Sequence, residues 1–162
     1  MDIYSKFINR KPACFKSFSL LDAKGVKSDW PSSPEYISKL VACECGETLL
    51  DIYASFGNEM HLAPIELECP KCKNKSEIFN PTKHGWDGEN GDCCSLIGES
   101  EPKLFNKSPT KVVVEFSYQG EENYEELIND GIKNPEDYFD VFALYTVSEN
   151  GKLDEVVSYE CA

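Results

Sequence analysis

The clearest patterning of apolar and polar positions lies in the last third of the chain. Lys111-Val112-Val113-Val114-Glu115-Phe116-Ser117-Tyr118 is β-branched and aromatic, which predicts a strand. From Glu121 to Asp130 the period changes to that of a helix. Tyr124, Leu127 and Ile128 recur at i, i+3 and i+4, with Glu121 and Glu122 in the first turn. Gly131 is placed to end that helix in a Schellman closure, with Ile132 against Leu127. Asn134-Pro135-Glu136-Asp137 then reads as an N-cap, a proline at the first helical position and acids behind it. Val141 to Val147 and Leu153 to Tyr159 are β-rich runs on either side of Asn150-Gly151, a strong hairpin signal.

Upstream the pattern is more broken. Asp2 to Ile8 suits a helical turn, Ala13 to Leu21 a strand, and Tyr36 to Ala42 an extended segment. Between them Asp29-Trp30-Pro31-Ser32-Ser33-Pro34 is a loop, because each proline pushes its predecessor away from helix. Thr48 to Ala54 and Ile65 to Glu68 read as strands separated by the turn chemistry of Phe56 to Glu59, and Ser76 to Phe79 alternates again. Residues 80–110 are irregular, and their glycine-rich part carries His84, Trp86, Cys93 and Cys94. Asp87, Glu89 and Asp92 lack the ligand spacing of a calcium loop. The expectation there is a loop pinned by Trp86.

Two close cysteine pairs, Cys43-Glu44-Cys45-Gly46 and Cys69-Pro70-Lys71-Cys72, are the strongest chemical signal. A pair at i, i+2 or i, i+3 on a tight turn brings both sulfurs to one side of the backbone, and Gly46 and Pro70 favour such turns. Four thiolates supply the tetrahedral set that Zn²⁺ takes. A disulfide framework needs an oxidising compartment, and residues 1–7 lack the apolar core of a secretory signal. A redox role for Cys69 and Cys72 would want a following helix, which the Lys/Asn/Ser run does not start. Unpaired thiols are the third alternative. With strand-like flanks, residues 40–80 resemble a zinc ribbon, which implies structural Zn²⁺ on Cys43, Cys45, Cys69 and Cys72. His61 is a further donor type nearby, but four cysteines complete a site without it.

The expected fold class is therefore α+β: mainly antiparallel sheet with a zinc-ribbon hairpin and one or two short helices. The 162 residues suit a single domain, with the ribbon module embedded at about 40–80 and an acidic strand-helix-hairpin part at about 111–162.

Charge changes the functional picture more than composition does. The formal net charge is −13, and residues 111–162 hold thirteen acids against Lys111, Lys133 and Lys152. Glu121, Glu122, Glu125, Glu126, Asp130, Glu136, Asp137 and Asp140 are candidate partner-binding residues for a basic protein. Small size and acidity resemble, in composition alone, immunity proteins that inhibit a basic toxin or nuclease. The alternative is a nucleic-acid-associated accessory protein using Lys71, Lys73 and Lys75. The single arginine, Arg10, and the acidic field oppose it. No glycine-rich phosphate loop, H-E-x-x-H or G-x-S-x-G motif occurs, so the expectation is a non-enzymatic, cytoplasmic protein.

Overall fold

The computed structural model describes residues 6–7, 10–22, 37–54, 56–57, 60–61, 64–79, 103–118, 120–133 and 135–160. Their strands are β1 (Phe18–Asp22), β2 (Ile37–Cys43), β3 (Leu49–Ala54), β4 (Phe56–Gly57), β5 (Met60–His61), β6 (Ile65–Glu68), β7 (Lys75–Phe79), β8 (Lys103–Leu104), β9 (Thr110–Ser117), β10 (Val141–Val147) and β11 (Leu153–Glu160). One helix, α1 (Glu121–Asn129), is described over its full span, and 3-10 turns cover Ala13–Phe15 and Pro135–Asp137. Lys6 and Phe7 are helical, and the rest of the turn expected there lies outside the described residues.

Nine strands form one sheet. Its main path runs β1-β2-β9-β3-β6-β7, with β10 on β9, β11 on β10 and β8 on β3, while β4 and β5 pair separately. Every pairing is antiparallel. The centre is β9, where the Val112–Val114 run is buried on both faces. Even-numbered Val112, Val114 and Phe116 face the main core, while Val113 joins Ala143, Tyr145 and Leu153 in a smaller second cluster. Glu115, between Val114 and Phe116 in the chain, is buried and accepts a 3.0 Å hydrogen bond from Ser38 Oγ on the neighbouring strand. Phe79 and Phe142 stack at 4.4 Å in the main core, with Phe139 5.3 Å from Phe142 and Phe116 5.2 Å from Phe139.

The expected α+β class is corrected by this arrangement. The described chain is predominantly antiparallel sheet, because strands far apart in sequence pair around β9 and leave α1 as a peripheral element. The zinc-ribbon hairpin is corrected as well. In a ribbon each cysteine turn sits at the tip of an antiparallel hairpin. Here β2 pairs along β9 from Phe116 to Val113, and β3 takes over at Lys111 and Thr110, also antiparallel. Two strands that both run antiparallel to β9 cannot form a hairpin with each other, so the first cysteine turn is an excursion between collinear partners. The second does close a hairpin, β6 with β7, which belongs to the continuous sheet.

The C-terminal reading fares differently in its parts. Gly131, at φ 76°, ends α1; its N–H reaches the Ile128 carbonyl and that of Ile132 reaches Leu127, the two bonds of a Schellman closure. Tyr124 is buried and stacks on Phe7 at 4.4 Å, which in turn lies 4.8 Å from Tyr118. Ile128, expected on the same face, is 48% exposed, because α1 touches the body through a narrow strip around Tyr124. Asn134 lies outside the described residues, so its expected cap does too.

Candidate metal centre

The first cysteine turn follows β2 directly. Cys43 N–H bonds the Glu47 carbonyl at 2.8 Å and Gly46 N–H bonds Cys43 at 2.8 Å, which folds residues 43–47 into a tight loop. Gly46 has φ 98°, a left-handed conformation that a side chain at this position would resist. The second turn joins β6 to β7. There Cys69 N–H bonds Asn74 and Lys73 N–H bonds Cys69, both at 2.8 Å, with Lys73 itself left-handed at φ 66°. Pairing of β3 with β6, Asp51 opposite Glu68, brings the two loops to the same end of the sheet.

There the four sulfurs meet. All Sγ atoms of Cys43, Cys45, Cys69 and Cys72 lie within 4.8 Å of one another. Cys43 is 3.4 Å from Cys72, and Cys45 is 3.6 Å from Cys69. A disulfide would hold its sulfurs at about 2.05 Å. Tetrahedral zinc at about 2.3 Å from each sulfur sets edges of about 3.8 Å, close to these two separations. The donor set therefore fits Zn²⁺, which supplies one divalent centre for four thiolates and no open position for substrate. Cys43 and Cys69 are buried, while Cys45 and Cys72 are exposed.

Asn74 is the functional side chain that spacing alone did not single out. Its Nδ2 donates to the Ser17 carbonyl at 2.8 Å and reaches Cys43 Sγ at 3.6 Å, so one amide orients a sulfur and ties the loop to the start of β1. The available signal was only an asparagine two residues after the last cysteine. The thiols are electrostatically unequal. Burial opposes ionisation of Cys43, yet the Cys45 N–H, the Asn74 amide and the neighbouring thiols outweigh it and lower its pKa to about 7. Cys72 receives a favourable bond from the Asn74 N–H, but proximity to Cys43, desolvation and the other sulfurs push it up to about 12. Cys45 is also raised: the Glu47 N–H and Cys72 favour its thiolate, but desolvation, Cys43 and Cys69 together prevail. Four thiolates cannot share this space without a cation, and that is the electrostatic demand a metal ion meets.

The other expected residues are dispersed. Lys71 and Lys73 are exposed on the second cysteine loop. Lys75 lies with its Nζ 3.7 Å over the Tyr53 ring, and the Tyr53 hydroxyl reaches Glu68 at 3.4 Å. Glu121, Glu122, Glu125, Glu126 and Asp130 are exposed along α1, whereas Glu136 and Asp140 are half-buried. The Asp137 and His61 side chains, together with His84, Trp86, Cys93 and Cys94, lie outside the described residues. Among the described residues no helix is long and apolar enough to cross a membrane. No protein-family model, curated protein or solved structure matches the chain.

Proposed function

We propose that this is a non-enzymatic, zinc-stapled β-sheet protein that docks on a basic protein partner, in the manner of an immunity protein or inhibitor of a toxin or nuclease. The observation that carries the metal half is the set of four sulfurs within 4.8 Å. A closed tetrathiolate leaves zinc no coordination position for water, so its contribution is to folding. The partner half is supported by α1, whose first turn carries Glu121 and Glu122 and whose last turn has no basic residue. With exposed Glu125, Glu126 and Asp130, the helix presents one sign of charge to solvent. Such a surface speeds encounter with a basic protein and repels phosphates.

Elemental analysis of the purified protein tests the first half, with about one zinc per chain expected. For the second, the native protein and a variant carrying Glu121→Lys, Glu122→Lys, Glu125→Lys and Glu126→Lys are compared in low-salt capture of basic proteins. The proposal expects capture that the variant loses. No basic partner, or equal capture by the variant, sinks it.

A further inference from the structure

We propose that the cysteine site is a peroxide-responsive switch, in which oxidation joins Cys72 to Cys43 and Cys45 to Cys69 and frees the bound ion. The inference rests on the structural-zinc reading above. Each loop supplies one buried and one exposed sulfur, Cys43 with Cys45 and Cys69 with Cys72. Two sulfur–sulfur contacts, Cys43–Cys72 at 3.4 Å and Cys45–Cys69 at 3.6 Å, cross between the loops, and each joins an exposed sulfur to a buried one. An oxidant in solvent therefore meets Cys45 and Cys72 first, and each has a sheltered partner at hand to complete a disulfide.

The chemistry balances with a peroxide as oxidant. The Cys72 thiolate attacks one peroxide oxygen, the O–O bond breaks, and a sulfenic acid forms as hydroxide leaves. The Cys43 thiolate then attacks the Cys72 sulfur, forming S–S and expelling the second hydroxide. Two thiolates give up two electrons to one peroxide. Cys45 and Cys69 repeat the sequence with a second equivalent. The two separations need to shorten by about 1.35 and about 1.55 Å to reach disulfide length. The backbone hydrogen bonds that shape the two loops do not involve the sulfurs, whereas the Asn74 amide contact to Cys43 Sγ does. Disulfide sulfur is a poor ligand for zinc, so ligation ends as the bonds form.

The cross-loop pattern has a consequence that pairing within a loop would not. The new bonds bridge positions 29 and 24 residues apart, so they fasten the same loops the ion had fastened. The oxidised, ion-free protein stays folded, whereas the reduced, ion-free protein loses its staple.

The test uses the full chain, purified without oxygen and assayed for zinc. Hydrogen peroxide is then added in steps, with released zinc read by a chromogenic chelator and disulfides mapped by non-reducing peptide mass spectrometry. The mapping separates the site from Cys14, Cys93, Cys94 and Cys161. About one zinc released per two peroxides is expected, with Cys43–Cys72 and Cys45–Cys69 bonds and a melting temperature above that of the reduced, chelated protein. In a Cys43→Ser variant, a sulfenic acid on Cys72 should persist long enough to be trapped by a dione reagent. Zinc retained under peroxide, or bonds confined to Cys43–Cys45 and Cys69–Cys72, overturns the switch and leaves structural zinc standing. A zinc-free anaerobic protein in which Cys43, Cys45, Cys69 and Cys72 are all free thiols overturns both.

Discussion

Cys69 and Cys45 are both ligands by spacing, yet they occupy different surroundings, one fully buried and one exposed. Cys69→Ser removes a thiolate from the inner side of the site and leaves three sulfurs crowded around one ion. Loss of zinc and a fall in melting temperature on the order of 10 °C are expected, for a stability loss of roughly 3 kcal/mol. An unchanged melt with full metal content would contradict the site. The metal-free protein carries its own pH signature. Cys43 ionises near 7 in the fold against an ordinary value of about 9, so its stabilisation is present above 9 and lost as pH falls through 7. Cys45 and Cys72 are raised, so their contribution is present below 9 and lost as pH rises toward their folded values. Denaturant melts of reduced, chelated protein should therefore show these thiols favouring the fold most near pH 9, with a decline on both sides.

Elements reveal how closely local chemistry was followed. The α1 terminus was legible because Gly131 and Ile132 carry the closure in their own residue types, and the observed bonds are those of that motif. No atom lies within 4 Å of a Cβ built on Gly131, so Gly131→Ala meets no clash and pays only for its φ of 76°. A loss of about 1 kcal/mol is expected, seen as a lower urea midpoint with an unchanged slope. On the exposed face of α1, Glu126 stands four residues from both Glu122 and Asp130. Glu126→Lys turns two like-charge spacings into opposite-charge ones, and should stabilise the protein by roughly 0.5–1 kcal/mol at low salt. The gain should shrink in 1 M salt, where screening is nearly complete. An effect independent of salt would show that Glu126 acts through packing instead.

Across the whole molecule, the cysteine loops fasten strands that also meet in the main core, which includes Cys43 and Cys69. The first leaves β2, the second joins β6 to β7, and Asn74 bonds back to Ser17 beside β1. A metal ion held there would tie β2 to the β6–β7 turn, so chelation is expected to act on the sheet as a unit. Melting after chelator treatment should drop in one cooperative step, with both aromatic and far-ultraviolet signals moving together. A local loss confined to the loops, with the sheet melting unchanged, would show that the core around Phe79 and Phe142 holds without a staple.

Much of this protein was determined by its sequence through short-range physics. The strands around Val112, Val141 and Leu153, the Asn150-Gly151 hairpin and the end of α1 follow from propensity, periodicity and turn chemistry within about ten residues. The cluster of four cysteines was equally legible, since cysteine pairs on tight turns declare themselves by spacing. What surrounds them was not. Whether Cys43 ends one arm of a hairpin or a strand collinear with the next depends on β9, some seventy residues away, and no local pattern encodes that pairing. The same distance hid the sheet's dominance over the helix and the role of Asn74. It also hid which sulfur in each loop is buried. Residue types set the chemistry on offer; only long-range strand pairing decided which groups share it, because the hydrophobic gain of burying both faces of β9 is collected by the whole sheet at once.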